Sequence, residues 1–250
     1  MSEPLRILGL RFQTYGQAEV LRVIAESVDS KTKLTVVQPH FFHTLLGHDD
    51  PELGSLYNRY DLILPDGYGI FAASRFLYGR DGFARQLNGS DLYPVLMEEA
   101  SAHRWRVFFL GETDQALELL RDRIRKVFPG IIVAGTHHGF IDTEDDSIPS
   151  LVNDSRADLL LIGMGTPKQD RWLWRHYHRL NPTVFIVVGA GIGFLSGAKA
   201  RAPMKWRKAH GEWLFRLLQE PRRLWRRYLV GIPRFLFLVL VQKLKMLERA

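Results

Sequence analysis

The sequence predicts an α/β protein: a doubly wound, mostly parallel Rossmann-like sheet flanked by helices, followed by a basic helical appendage. Three observations carry this. Short apolar runs, of the kind that parallel strands buried on both faces require, recur along residues 1–198. Helical patterns fill the intervals, giving the repeated strand–helix units of a doubly wound sheet. From residue 199 the strand pattern stops, and the last 52 residues carry 14 Lys and Arg against 3 Asp and Glu, whereas the first 198 carry 20 against 24.

Taken in order, the expected strands are Ile7–Leu10, Leu34–Val37, Leu62–Leu64, Val107–Leu110, Ile131–Ala134, Leu159–Ile162 and Val184–Val188. The expected helices of the body are Gln17–Val28, Gly67–Tyr78, Asp91–His103, Asp114–Phe128 and Lys168–Leu180. The fourth is the best specified, because Thr113 is a good N-cap and Leu117, Leu120, Ile124 and Phe128 recur at helical spacing. In the appendage Pro203, Pro221 and Pro233 separate Trp206–Glu220, Arg222–Val230 and Pro233–Glu248, all rich in Arg, Trp and Leu. The last contains seven consecutive apolar residues, Phe235–Val241. A bilayer span needs about 20, so this run either lies in a membrane interface or docks on the body.

Composition narrows the chemistry. With 250 residues, 46% hydrophobic and 24% charged, the chain is globular rather than disordered, collagenous or coiled-coil. It contains no cysteine, which excludes disulfides, thiolate metal sites, iron–sulfur clusters and cysteine nucleophiles. No H-E-x-x-H or similar histidine pair suggests a metal site, and residues 1–13 lack the pattern of a secretory signal. The basic appendage seeks phosphate, on nucleic acid, anionic lipid or a diphosphate substrate.

In open α/β sheets ligands bind beyond the carboxyl ends of strands, so the segments after each strand matter most. They read Pro65-Asp66-Gly67-Tyr68-Gly69, Gly111-Glu112-Thr113, Gly135-Thr136-His137-His138-Gly139, Gly163-Met164-Gly165-Thr166-Pro167-Lys168-Gln169-Asp170 and Gly189-Ala190-Gly191-Ile192-Gly193. Each glycine alone explains a tight turn; five such loops on one sheet edge favour a nucleotide or similar ligand. Neither G-x-x-x-x-G-K-[ST] nor G-x-G-x-x-G is present, against a P-loop NTPase or a dinucleotide dehydrogenase. Asp66 is open to two roles, a desolvated general base or the cap of the following helix. Arg85 reads as a surface residue before a capped helix, Gln169 as an exposed helix residue or a sugar-hydroxyl contact, and His40, beside Pro39, as the cap of a turn. Arg216, Arg223 and Arg227, spaced by seven and four, share a helical face interrupted at Pro221 and suit a diphosphate or a solvated surface.

The ordered set Pro65-Asp66-Gly67-x-Gly69, Arg85-x-x-x-Gly89-x-Asp91, Phe108-Phe109-Leu110-Gly111, Gly163-x-Gly165-x-Pro167-Lys168-Gln169-Asp170, Arg201-Ala202-Pro203, Glu212-Trp213-Leu214-x-Arg216-Leu217 and Glu220-Pro221-x-Arg223 closely resembles the bacterial WecG/TagA/CpsF glycosyltransferases over roughly residues 5 to 230. The resemblance implies an inverting, metal-independent transferase without a cofactor. It would move a sugar from a UDP-sugar to a polyprenyl-diphosphate-linked glycan at the cytoplasmic face of the membrane, for a cell-surface polymer. By position it makes Asp66 the base, with Arg85 and Gln169 as catalytic partners. It puts Gln38, His40, Gly67, Gly111, Gly139, Gly165, Pro167, Lys168 and Gly189 at the substrates, and Arg216, Arg223 and Arg226 in a closing appendage that contacts phosphate. It divides the chain into a core, residues 1–198, and a membrane-associated appendage, residues 199–250, and favours the interfacial reading of Phe235–Val241. Gln38-Pro39-His40 stands where many members have Thr-x-Asn, and Ile192-Gly193 where many have Phe-Asp. This departure leans toward hexose transfer in an exopolysaccharide branch rather than N-acetylmannosamine transfer. The rival expectations are a nucleic-acid binder, disfavoured by an appendage that alternates Arg with Trp, Leu and Phe, and a non-catalytic UDP-sugar sensor. A body stripped of its appendage would expose an apolar face, so a homo-oligomer is a further expectation.

Overall fold

The computed structural model of the protein describes residues 3–208 and 210–248. Its strands are β1 (Leu5–Ile7), β2 (Leu10–Phe12), β3 (Leu34–Val37), β4 (Leu62–Ile63), β5 (Arg106–Gly111), β6 (Ile132–His137), β7 (Leu159–Gly163) and β8 (Val184–Val187). The helices of the body are α1 (Gln17–Ser30), α2 (Phe41–Asp49), α3 (Pro51–Tyr57), α4 (Gly67–Tyr78), α5 (Gly89–Ala102), α6 (Asp114–Val127), α7 (Ser147–Asp154), α8 (Lys168–His176) and α9 (Gly191–Ser196). The appendage adds α10 (Met204–Lys208), α11 (Glu212–Gln219), α12 (Pro221–Trp225) and α13 (Gly231–Leu247), with a π-helical segment, Arg226–Val230, joining the last two.

Strands β3 to β8 form one parallel sheet in the order β4-β3-β8-β7-β5-β6. Alternate side chains feed opposite cores, as a period of two demands. Phe108, Leu110, Phe185 and Val187 enter one buried cluster, and Val107, Phe109, Val184 and Ile186 the other. The chain leaves β3 toward the edge strand β4, whereas after β8 it turns the other way into α9, which packs on α5 and α6. The two connections diverge, and a crevice opens between the carboxyl ends of β3 and β8. Thr113 caps α6 as expected, its Oγ1 accepting from the Ala116 N–H, and Leu117, Leu120 and Ile124 are buried.

Several sequence expectations need correction. Ile7–Leu10 is not a strand of the parallel sheet. Leu8 and Gly9 take φ of +46° and +91°, which turns the chain back and makes β1 and β2 a separate antiparallel hairpin. Helices α2, α3 and α7 fall in stretches without a clear apolar period; α2 and α3 are specified by their caps, His40 and Asp50. The expected helix Lys168–Leu180 loosens into a 3₁₀ turn after His176, and Trp206–Glu220 is broken at Gly211.

Among the described residues the appendage forms no large buried cluster apart from those of the body. On α13, Phe235 and Val239 join the buried cluster of the body, while Leu236, Phe237, Leu240, Leu244 and Leu247 are exposed. Docking and an apolar outer face therefore coexist on one helix. No helix among the described residues is long and apolar enough to cross a membrane.

The close approach of α2 and α3 depends on Gly54, where a Cβ would lie 2.4 Å from the Gly47 carbonyl oxygen. Gly54→Ala is expected to destabilise the fold by about 2 kcal/mol through forced separation of the two helices, read as a lower denaturant midpoint at unchanged slope.

Candidate active site

A cleft of about 1010 Å³ occupies the crevice between β3 and β8 and is roofed by the appendage. The loops after β3, β4, β7 and β8 supply Gln38 and His40, Asp66 and Gly67, Gly165 and Gln169, and Gly189. The appendage supplies Arg216, Arg223 and Arg227. Segments far apart in sequence thus converge because parallel strands all end at the same sheet edge.

Asp66 follows β4 at the N-cap position of α4, yet its carboxylate makes no capping bond. Oδ1 instead accepts from the Gly89 N–H at 2.9 Å, so the side chain turns across the cleft toward α5 and the cap role does not hold. Burial, reinforced by the charges of Glu212 and Asp91, pushes its pKa up to about 6, against the Gly89 hydrogen bond and the nearby Arg216. A carboxylate of that strength accepts a proton readily yet stays ionised at neutral pH.

Gln38 is buried beneath the cleft, and neither its amide oxygen nor its nitrogen finds a hydrogen-bond partner. Beside it the rings of His40 and His43 stack at 4.0 Å. His40 Nδ1 accepts from the Phe42 N–H and so caps α2. Burial, then the charge of Arg227 and Arg216, drives His43 down to about 3, and His40 falls well below its ordinary value for the same reasons, with His43 adding to the effect. Both imidazoles are neutral at physiological pH, so the positive charge of the cleft belongs to arginine.

Arg223 pairs with Glu220 at 2.6 Å. Arg216 lies over the Phe194 ring and Arg227 over the Phe42 ring, at 5.6 and 4.8 Å, so these two present their charge beside aromatic faces. Burial lowers the pKa of Arg227, to which Arg216 and Arg223 add. Like charges gathered in a half-buried cleft fit an anionic ligand, and the fork of guanidinium donors matches phosphate oxygens. The appendage is fastened over the cleft at Asp91, whose Oδ1 accepts from Arg201 at 2.7 Å and from Arg207 at 2.8 Å. Arg201 also donates to the Ser90 carbonyl.

Gln169 is buried and braces the loop before α8: its Oε1 accepts from the Gly165 N–H and its Nε2 donates to Thr166 Oγ1. Beneath it Asp170 accepts from Tyr60 and Thr166. The other expected site residues lie elsewhere. Arg85 is exposed on the loop before α5 and outside the cleft wall, where Gln86 and Asn88 stand instead. Arg226 is also exposed, set over the Trp225 ring; Arg227, one residue on and four from Arg223, takes the inward face. Gly111 and Gly139 belong to the junction of β5 and β7, where a Cβ on Gly111 would lie 2.4 Å from the Gly163 carbonyl oxygen. There Lys168, next to Pro167, donates to the Gly139 carbonyl, and Glu112 and Lys199 form an ion pair. Sequence reasoning missed His43, Tyr93, Arg207 and Glu212 in the cleft wall. For His43 a signal existed, its place one turn from His40; for the others only the chain path reveals it. Among the described residues no group of three or more side chains is arranged to hold a metal ion.

The profile of the Glycosyl transferase WecG/TagA/CpsF family matches residues 5–249. The N-acetylglucosaminyldiphosphoundecaprenol N-acetyl-beta-D-mannosaminyltransferases of Staphylococcus aureus strains MW2 and NCTC 8325 / PS 47 are each 33% identical over 190 residues, 76% of this chain and 73% of theirs. That of strain MRSA252 is 32% identical over the same length.

Asp91→Asn weakens both arginine contacts that hold the roof. Limited proteolysis is expected to cut within residues 203–211 several-fold faster in this variant, with the body fragment as resistant as before.

Proposed function

This chain belongs to the WecG/TagA/CpsF family of glycosyl transferases, and from that premise we propose that it moves a sugar, with inversion, from a UDP-sugar to a saccharide carried on polyprenyl diphosphate. The observation that carries this reading is one cleft holding a recessed carboxylate, Asp66, opposite the arginines Arg216, Arg223 and Arg227. The similar staphylococcal enzymes are named for a diphosphoundecaprenol-linked acceptor, which supports the acceptor class.

In the proposed reaction an acceptor hydroxyl oxygen attacks the anomeric carbon of the donor while the bond from that carbon to the diphosphate breaks. The electron pair leaves with UDP, and the hydroxyl proton passes to Asp66. Arg216 and Arg223 balance charge that grows on the departing diphosphate, an interaction stronger in the transition state than in the ground state. The roof formed by α11 and α12 excludes water that would hydrolyse the donor. Gln169 keeps the loop after β7 in place beside the donor.

The donor is the less constrained partner. Gln38-Pro39-His40 and Ile192-Gly193 favour a plain hexose and an exopolysaccharide product, while the likeness to mannosaminyltransferases favours N-acetylmannosamine. A panel of UDP-sugars offered with lipid-linked saccharides, in detergent and EDTA, decides between them by UDP release and the lipid product. The exposed Trp225, Leu229, Val230, Phe237 and Leu244, with Arg222 and Arg226 alongside, support attachment to an anionic membrane surface, on its cytoplasmic side in this reading. Binding to anionic vesicles that weakens with salt supports this attachment; indifference to vesicles counts against it.

Asp66→Asn is expected to cut turnover about a hundred- to ten-thousand-fold while leaving UDP binding intact. Near-normal turnover in that variant removes Asp66 from the mechanism; UDP binding without turnover in the wild type points to a sensor instead. Because the base must be ionised, wild-type kcat/KM is expected to rise with pH through about 6 and then level.

The stability effect has the opposite sign. The fold holds the Asp66 proton more tightly than the unfolded chain does, so this residue withdraws stability as pH climbs from about 4 to about 6. At pH 7.5 Asp66→Asn is therefore expected to melt about 4 °C above wild type, with the difference gone below about pH 4, as calorimetry would show.

A further inference from the structure

The cleft does not end at the arginines. Beyond Phe41, whose ring meets Tyr228 at 6.1 Å and Phe235 at 5.8 Å, it continues as an apolar channel between α4 and α13. Tyr68, Ala72 and Phe76, each four residues apart, form one wall. Ile232, Leu236 and Leu240, at the same spacing, form the other. Each stripe runs about 12 Å. Tyr68, Phe76, Leu236 and Leu240 are between 44% and 60% exposed, an unusual amount of open apolar surface for two facing helices.

We propose that this channel seats the first isoprene units of the acceptor, so that its diphosphate lies beside Arg227, which rests on Phe42 next to Phe41, while the chain leaves between α4 and α13 and Arg216 and Arg223 are left to the donor diphosphate. The inference rests on the acceptor class proposed above and adds where its lipid is held and how it enters. Ligand and cleft are complementary along their whole length. A polyprenyl diphosphate is a dianionic head fused to a branched apolar chain, and the cleft joins a cationic end to an apolar channel in the same order. The channel opens beside the exposed apolar residues of α13, so the chain reaches the active site from the lipid phase without crossing water. A sugar nucleotide, polar throughout, has no use for this part of the cleft.

The test compares two water-soluble acceptors that carry the same saccharide diphosphate, one esterified to a geranyl chain and the other to methyl, without membranes or detergent. In the wild type kcat/KM is expected to favour the geranyl compound at least tenfold. Ala72→Trp fills the channel and Leu236→Ser lowers its apolar surface; each is expected to bring that ratio toward one. Using the ratio makes the readout independent of how much folded enzyme each preparation contains, and the second variant decides if the first fails to fold. A wild-type ratio near one, or a ratio preserved in the folded variants, overturns the proposal. If the two stripes instead cover a second copy of this chain, Ala72→Trp changes the sedimentation of the protein and leaves the ratio untouched, which also overturns it. Calorimetric binding of the same two compounds separates this inference from the functional reading. Tight, chain-dependent binding without turnover keeps the channel and rejects the reaction, whereas turnover of both compounds at equal efficiency does the reverse.

Discussion

An ionisable carboxylate recessed at the end of a parallel sheet is the constraint on which the rest of the site depends. At Asp66 the body provides one hydrogen bond, from the Gly89 N–H, and one further carboxylate, Asp91, that opposes ionisation, while Glu212 of α11 opposes it from the appendage. The opposing positive charge comes from Arg216, 150 residues later in the chain. The docked appendage therefore acts on Asp66 in both directions from one helix, Glu212 favouring the neutral acid and Arg216 the anion. Asp91, whose charge also bears on Asp66, pairs with Arg201 and Arg207 and so ties the roof to the rim of the same site.

The charge division along the chain takes on a structural meaning here. A mildly acidic body and an appendage with 14 basic and 3 acidic residues attract one another, but the docked appendage leaves part of its charge unmatched inside the cleft. Arg216 and Arg227 rest on the Phe194 and Phe42 rings, and His40 and His43 are held neutral by burial first and by the nearby arginine charge second. Gathering like charges costs folding free energy, which an anionic ligand recovers on binding. Gln38, in the cleft lining just after β3, is buried with both ends of its amide unpaired and adds an unmet polar demand of the same kind.

Much of this was legible in the sequence, and the failures have physical causes. Strands buried on both faces announce themselves as apolar runs, so β3, β4, β5, β7 and β8 were readable, and the loops after them identified the edge that carries Asp66, Gln38 and Gln169. The spacing of Arg216, Arg223 and Arg227 anticipated the inward face of the appendage better than family position did, because helical geometry rather than motif order decides which side chain points in. Arg85 lies exposed outside the cleft wall, and its loop has no periodic pattern from which that orientation could be read. Gly111, Gly139 and Lys168 have the loop chemistry of a ligand site yet serve the junction of β5 and β7; only sheet order separates the two crevices.

The hairpin misread as a sheet strand shows why that distinction matters. Its residues Ile7, Leu10 and Phe12 are buried in the cluster that also takes Phe235 and Val239 of α13. The Leu8 N–H donates to Gln242 Oε1, Gln242 Nε2 donates to the Arg6 carbonyl, and the Tyr78 hydroxyl at the end of α4 donates to that same carbonyl. Lys243 reaches the Leu77 carbonyl, and Arg234 pairs with Asp49 at the end of α2. These contacts fix the rotation of α13 about its axis. Turned by a single residue, about 100°, the helix would carry Phe235 and Val239 out of the core and swing Leu236 and Leu240 away from α4. A short N-terminal ribbon that contributes nothing to the parallel sheet thus sets which face of the last helix closes the cleft and which faces outward.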